Sequence, residues 1–212
     1  MAVGHRGHSL LIAVVSGSPA AGSRSRAFAA HVGAELIAKG FAVESLDVRD
    51  LPPEGLLGGC QDAPELRAAL SLIARADGIV LVTPVYKAAY SGALKAFLDV
   101  LPQAGLAGKV VLPIAIGGTL AHVLAIDYAL RPVLVSMGGP HVVGGLFLLD
   151  TWLPRTATGG VVLEQEDARA RLASGVEQLA MGLRHHTPSG PPAAATARAP
   201  DCTNITASSL AQ

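Results

Sequence analysis

The chain has 212 residues, half of them hydrophobic, and its sixteen basic side chains balance sixteen acidic ones. This length suits one α/β domain of ordinary size, and the apolar fraction supplies a full core without metals or disulfides. The zero formal charge disfavours nucleic acid or an anionic membrane surface as the main partner, because both need a basic surplus. Cys60 and Cys202 lie far apart, and no Cys/His spacing typical of zinc occurs, so no metal is expected.

Strand-like apolar runs alternate with helix-like patterns along most of the chain. In chain order the pattern predicts a strand over 10–16, a helix over 24–39, a strand over 41–47, a Gly/Pro-rich loop over 50–64, a helix over 64–75, a strand over 78–83, a helix over 91–101, a strand over 109–115, a helix over 119–137, a strand over 141–149 and a helix over 164–184. The apolar run 10–15 is too short for a signal peptide and leads into a Gly-Ser-Pro loop, so a cytoplasmic location is expected.

Composition changes near residue 187. The stretch 187–212 is rich in Pro, Ala and Ser and holds few side chains that could be buried. The sequence therefore predicts one folded domain over 1–186 and a disordered tail over 187–212.

Five strands that alternate with helices indicate a parallel sheet covered on both faces. Right-handed crossovers with one switch in winding direction give the flavodoxin-like strand order 2-1-3-4-5. In such sheets ligands bind at the carboxyl ends of the strands, near the switch point. This rule selects the loops after strands one, three and four for inspection.

The loop after strand one combines hydroxyls, glycines and an arginine at the start of a helix. Its polar side chains are Ser16, Ser18, Ser23, Arg24 and Ser25. Backbone amides, hydroxyls, the helix N-terminus and the guanidinium all favour an anion such as a phosphate monoester. The loop matches neither GxGxxG nor GxxxxGK[ST]. The alternative is an ordinary capping loop, for which Ser23 is a suitable N-cap.

The loop after strand three begins at Pro84, which is expected to end the strand, and continues through Val85, Tyr86 and Lys87. Such a turn can present a flat wall of backbone and side chains to a planar ring. The alternative is that Tyr86 and Tyr90 are aromatic residues of the rim without a ligand.

The loop after strand four, Gly117-Gly118-Thr119, offers a second helix start rich in amides, with His122 one turn further on. His122 either faces a ligand or caps its own helix. In the same predicted helix, Pro132 lacks the N–H that would bond to the Tyr128 carbonyl, so a kink or a π-bulge is expected there.

The sequence shows no GxSxG, no HExxH and no recognisable pair of catalytic carboxylates. A phosphate loop and a planar-ring wall without acid–base residues are typical of a protein in which a cofactor supplies the chemistry.

Together these motifs resemble the NAD(P)H-dependent FMN reductases, in particular the SsuE-type enzymes that serve alkanesulfonate monooxygenases. The resemblance covers roughly residues 10–150 and rests on these stretches: Ser16-Gly17-Ser18-Pro19, Ser23-Arg24-Ser25, Thr83-Pro84-Val85-Tyr86-Lys87 with its continuation to Lys95, the segment 108–113, Gly117-Gly118-Thr119, Ala121-His122 and the segment 127–134.

The resemblance implies a flavodoxin-like fold that binds FMN and uses NAD(P)H. It implies phosphate binding by Ser18, Ser23, Arg24 and Ser25, with Ser16 in the same loop. It implies that Pro84, Val85, Tyr86 and Lys87 line the isoalloxazine, and that Gly117, Gly118, Thr119 and His122 close the third side. No side chain is expected to transfer a proton in the hydride step.

In this branch of the family a tyrosine at the position of Tyr128 marks a π-helix that is associated with flavin release and with a subunit interface. The resemblance therefore implies a homodimer or homotetramer that gives FMNH₂ to a flavin-dependent monooxygenase. Two alternatives stay open: an FMN-retaining quinone or azo reductase, and a flavodoxin-like electron carrier.

Overall fold

The computed structural model describes residues 9–58, 62–139 and 141–185. The predicted tail over 187–212 and both cysteines lie outside these residues. No helix in the described ranges is long and apolar enough to cross a bilayer.

Parallel strands form the centre of a seven-stranded sheet. The strands are β1 (Leu11–Ser16), β2 (Ala42–Asp47), β3 (Gly78–Tyr86), β4 (Ala89–Tyr90), β5 (Val110–Gly117), β6 (His141–Val142) and β7 (Leu146–Leu149). Their order is β2-β1-β3-β5-β6, with β7 also beside β5 and β4 antiparallel to β3. The predicted order 2-1-3-4-5 is confirmed once β6 and β7 are taken as two halves of the predicted fifth strand.

The helices are α1 (Arg24–Ala38), α2 (Pro53–Gly58), α3 (Pro64–Arg75), α4 (Gly92–Val100), α5 (Arg131–Ser136) and α6 (Glu166–His185). Strand side chains alternate between the two faces of the sheet. Ile12 and Val14 pack in a cluster with residues of α1 and α6. Ala13 and Val15 pack in a second cluster with residues of α3, α4 and α5. The core therefore lies on both faces, as expected for a doubly wound sheet.

Several predicted boundaries are wrong. Strand β3 does not end at Pro84 but continues to Tyr86, because its last residues pair with β4 in a hairpin. The segment predicted as the loop 50–64 contains the short helix α2. The predicted helix over 119–137 is three pieces: a 3₁₀ turn at Leu120–His122, a π-helix at Ile126–Leu130 and α5. The predicted kink or π-bulge at Tyr128 is thus confirmed as a π-helix.

Pro113 lies inside β5, where a missing N–H ordinarily weakens a central strand. The Val110 amide donates to Asp77 on the β3 side, and the Val111 carbonyl accepts from Val143 on the other side. By alternation, the nitrogen of Pro113 faces the same side as Val111. There β5 pairs with β6 through residues 110–111 and with β7 from residue 114 onward. The proline is therefore tolerated because its missing donor faces the interruption of the neighbouring strand.

Candidate active site

The loop after β1 passes close to the start of α4. The Gly17 amide donates to the Val82 carbonyl at 2.8 Å, and the Ser91 hydroxyl donates to the Gly17 carbonyl. A Cβ on Gly17 would lie 2.7 Å from the Cβ of Leu94. Glycine is required here because the loop backbone packs directly against α4, and this contact fixes the loop relative to the carboxyl end of β3.

Ser91 and Thr83, two buried residues that the sequence did not single out as site residues, hold this junction together. Ser91 is the N-cap of α4, and its hydroxyl accepts from the Leu94 amide at 3.1 Å. Its own amide donates to the Thr83 hydroxyl at 3.1 Å, and Thr83 in turn donates to the Pro84 carbonyl at 3.0 Å. The available signal was the position of Ser91 at the start of a predicted helix, where serine is a favoured N-cap.

The predicted hydroxyls after β1 are found in different environments. Ser18 is buried and accepts from the Ala20 amide at 3.3 Å. Ser23 is half-buried and accepts from the Arg26 amide at 3.0 Å, which makes it the N-cap of α1. Ser25 is buried in the first turn of that helix. Capping by Ser23 is compatible with anion binding, because a hydroxyl that accepts one bond still has its proton to donate.

Ser16 ends β1, and its hydroxyl lacks a partner. The residue is 2 % exposed, and among buried side-chain nitrogen and oxygen atoms of the described residues, its Oγ is the one without a hydrogen bond. Alternation places Ser16 on the face of Ile12 and Val14, which α1 covers. An unsatisfied buried hydroxyl is costly. A ligand that accepts from this hydroxyl would remove the cost.

The side chain of Arg24 turns toward the segment that follows β7. Its Nε donates to the Leu153 carbonyl at 3.3 Å, and Nη1 lies 4.0 Å from a carboxylate oxygen of Asp150. Arg155 from the same segment donates to the Gly22 carbonyl. Sequence reasoning missed these three residues after β7, since no local motif marks them. They bring one more cation and one anion to the predicted phosphate loop.

The hairpin of β3 and β4 forms the second wall. Pro84 is buried, Val85 is half-buried, and Tyr86, Lys87 and Ala88 are exposed. The two turn residues, Lys87 and Ala88, have positive φ angles of 51° and 63°. Left-handed backbone at two successive residues is typical of a type I′ turn, which normally holds Asn and Gly. The hairpin therefore stores backbone strain at the predicted ring wall.

Tyr90, at the base of this hairpin, is half-buried. Burial raises the pKa of its phenol, while Lys95 lowers that pKa and Asp99 raises it. The phenol is therefore protonated at neutral pH and can act as a hydrogen-bond donor.

The third wall follows β5. A Cβ on Gly117 would lie 2.8 Å from the ring of Phe147, whereas a Cβ on Gly118 would meet no atom within 4 Å. Gly117 is thus required by packing, while Gly118 borders open space. Thr119 caps the 3₁₀ turn by accepting from the Ala121 amide at 3.3 Å. The half-buried His122 lines an open pocket of about 300 Å³ together with Tyr128 of the π-helix.

The π-helix follows from a local exchange of hydrogen bonds. The Arg131 amide donates to the Ile126 carbonyl five residues earlier. The Arg131 side chain bonds Asp127 at 2.9 Å and the Val142 carbonyl at 3.0 Å. Tyr128 itself is 79 % exposed. The bulge is therefore anchored to the break between β6 and β7 and leaves its tyrosine in solvent.

The site residues predicted from sequence come from three loops at one edge of the sheet. Parallel pairing sets the end of β1 beside Val82 and pairs Pro84 with Ile116. The donor set fits FMN: an orphaned buried hydroxyl, a cation and a helix start suit its phosphate, and open glycine backbone suits a flat ring. The bound positions of individual ligand atoms stay a prediction.

Comparison with known proteins gives a consistent result. Residues 10–153 match the family model described as NADPH-dependent FMN reductase. Over 142 residues the chain is 44 % identical to an FMN reductase (NADPH) of Pseudomonas putida, covering 67 % of this chain and 72 % of the relative.

Two solved structures illustrate the fold. The apo form of an NADH:FMN oxidoreductase (EMOB) superposes with a TM-score of 0.73 at 36 % identity, covering 86 % of this chain and 92 % of the other. A flavodoxin from the domain Archaea superposes with a TM-score of 0.55 at 16 % identity, covering 83 % and 100 %, and shows the fold alone. The fold is flavodoxin-like, as the strand order predicts.

Proposed function

Because the chain belongs to the NADPH-dependent FMN reductase family, we propose that it treats FMN as an exchanging substrate and delivers the reduced flavin to a separate monooxygenase. The chain is an NAD(P)H:FMN oxidoreductase. What is proposed is the fate of the flavin and the nature of its acceptor, a monooxygenase that desulfonates sulfonates.

FMN supplies a ring nitrogen, N5, that accepts the nicotinamide hydride. The chain's own contribution is to position the two reacting rings. The loop after β1 holds the phosphate end through Ser16, Ser18, Ser23, Arg24 and Ser25. The β3–β4 hairpin and the Gly117-Gly118-Thr119 turn would line the ring. Holding both rings at contact is proximity catalysis and needs no acid or base from the protein.

The π-helix is the observation that supports the proposal that flavin exchanges. It is the one π-helical segment in the described part of the chain, and it places the exposed Tyr128 beside the pocket that Ala88 and His122 also line. A π-helical turn is rare and is frequently found at functional sites. A wall built this way supports moderate flavin affinity, which a reductase that releases its product needs.

Apolar side chains around the π-helix support assembly into a homodimer or homotetramer. Leu120, Val123, Leu124, Tyr128 and Val135 are all between 43 % and 79 % exposed. A large exposed apolar patch typically marks an interaction surface. Sedimentation of the wild type against Val123→Glu tests this: the variant is expected to dissociate, and an unchanged mass contradicts the assignment.

The decisive experiment is NAD(P)H oxidation by purified protein with and without added FMN. Sustained oxidation only with added FMN, by a nearly colourless preparation, supports the exchanging-substrate proposal. A yellow protein that ignores free FMN but reduces a quinone or an azo dye contradicts it and identifies an FMN-retaining reductase. Transfer is tested by adding a sulfonate monooxygenase and measuring sulfite. The cytoplasmic location stays a prediction.

A further inference from the structure

The segment 150–163, which follows β7, packs against the loop after β1. Leu153, Val161 and Leu163 are buried in the core, and an isolated bridge between Arg155 and Val161 closes the segment on itself. Its polar groups reach the loop through the Arg155–Gly22 and Arg24–Leu153 hydrogen bonds. The segment is thus a fixed part of the predicted phosphate site rather than a free tail.

Asp150 is the acidic group of this segment that faces the loop. Its carboxylate lies 4.0 Å from Nη1 of Arg24, and both side chains are a little over 40 % exposed. A phosphate bound at this loop carries up to two negative charges and needs the same guanidinium. Asp150 and the phosphate therefore compete for one cation and repel each other.

A comparison of Arg24 with the neighbouring Arg26 shows why the Arg24 side chain can change its binding partner. Arg26 donates to Asp47 at 2.8 Å and lies 3.8 Å from Asp50, so it is held by one carboxylate at the end of β2 and one in the turn that follows. Arg24 has one long ionic contact and a 3.3 Å bond to a neutral carbonyl. A guanidinium held this loosely can turn to a phosphate without breaking a short ion pair.

We propose that Asp150 is a built-in competitor for Arg24 that weakens binding of the flavin phosphate and so speeds flavin exchange. The inference rests on the proposed function, since it assigns the phosphate to the loop after β1. In this role Asp150 is a positioning residue rather than a catalytic one. It acts through Arg24 and through its own charge.

The test compares FMN with riboflavin, which has the same ring and no phosphate. Dissociation constants are measured by quenching of flavin fluorescence for the wild type and for Asp150→Asn, a change of nearly equal shape. The variant is expected to bind FMN about two- to fivefold more tightly, the size of an exposed charge pair. Riboflavin affinity is expected to stay unchanged, and stopped-flow dissociation of FMN is expected to slow by a similar factor.

Asp47→Asn is the matched control, because it likewise removes a carboxylate charge, here from the partner of the neighbouring Arg26. It is expected to change the ratio of FMN to riboflavin affinity less than Asp150→Asn does. An equal effect of the two variants means that any nearby carboxylate acts through general field repulsion, and it overturns the specific role of Asp150. Weaker or unchanged FMN binding by Asp150→Asn also overturns it.

Arg24→Gln separates this inference from the site assignment. It is expected to weaken FMN roughly tenfold or more while leaving riboflavin unchanged, and Asp150→Asn is expected to lose most of its effect in this background. If Arg24→Gln leaves FMN affinity unchanged, the phosphate assignment fails, and the inference fails with it. If Arg24→Gln behaves as expected but Asp150→Asn does not tighten binding, the site assignment stands and only the inference fails.

Discussion

Pro132 stands four residues after Tyr128, at the position whose amide would bond to the Tyr128 carbonyl in an α-helix. Proline has no such hydrogen. In the structure the amide of the preceding residue, Arg131, donates to the carbonyl of Ile126, five residues earlier instead of four. The π-helix Ile126–Leu130 results. The tyrosine at its centre is 79 % exposed. A backbone defect of one turn thereby presents an aromatic side chain beside the candidate ring pocket.

Tyr128→Ala is expected to increase flavin retention and to slow turnover with free FMN, because it removes the side chain of the π-helix to which flavin release is assigned. Bound FMN after gel filtration and steady-state NAD(P)H oxidation measure the two effects. Met181→Ala, which truncates an exposed apolar residue of α6 outside the π-helix, serves as the control. Equal retention and equal turnover for Tyr128→Ala and the wild type would contradict the release role.

Ser16→Ala is expected to have opposite effects on stability and on binding. Removal of an unsatisfied buried hydroxyl is expected to raise the free energy of unfolding of the flavin-free protein by about 1 kcal/mol. Loss of a donor to bound FMN is expected to weaken binding by about 0.5–1.5 kcal/mol. Urea unfolding and fluorescence titration measure these quantities.

Ser91→Ala is the matched control for that experiment. Its hydroxyl bonds both the Gly17 carbonyl and the Leu94 amide, so its removal is expected to lower the free energy of unfolding by about 1–3 kcal/mol. If Ser16→Ala destabilises the flavin-free protein as strongly as Ser91→Ala does, the hydroxyl of Ser16 has a structural partner and the ligand assignment is wrong.

Gly118→Ala and Gly117→Ala are expected to have different effects, because position 118 borders the predicted flavin site and position 117 is packed in the core. A methyl group at position 118 enters open space, so stability is expected to be unchanged or up to about 1 kcal/mol higher. FMN and riboflavin are both expected to bind less tightly, since the methyl group stands where the ring approaches.

At position 117 a Cβ would lie 2.8 Å from the ring of Phe147. We expect Gly117→Ala to lower the free energy of unfolding by about 1–3 kcal/mol. Thermal unfolding and titration with both flavins check the pair. If Gly118→Ala binds both flavins as tightly as the wild type does, the flavin ring does not lie against this turn.

Ala88→Gly is expected to raise the free energy of unfolding by about 0.5–1 kcal/mol, because φ is 63° at this turn residue and glycine adopts that conformation without strain. Ala89→Gly, one residue later in β4, is expected to lower it by a similar amount through the loss of strand preference. Urea unfolding of the two variants is sufficient. A loss of stability in Ala88→Gly would show that the turn is not strained.

Much of the candidate site could be predicted because it depends on residues that are near in sequence. Ser23 is recognisable as a cap from its place before a helix, and it caps α1. Pro132 predicts a disruption of the helix at Tyr128, and the structure shows that this disruption is a π-helix. The carboxyl-edge rule then brings three loops together once the strand order is known, because parallel strands end at the same edge.

The alternation of buried strands and amphipathic helices and the disrupted helix at Tyr128 are properties of the sequence by itself, since period and proline chemistry act within a few residues. The strand order followed from the general handedness of crossovers between parallel strands. The partners of Arg24, the orphaned hydroxyl of Ser16 and the tolerance of Pro113 were decided only by the tertiary structure. Arg24 meets Leu153 across 129 positions. Gly145 illustrates the same rule: a Cβ there would lie 2.6 Å from a methyl group of Ile126 in the π-helix. Such contacts depend on the distance between remote segments, and no local pattern encodes that distance.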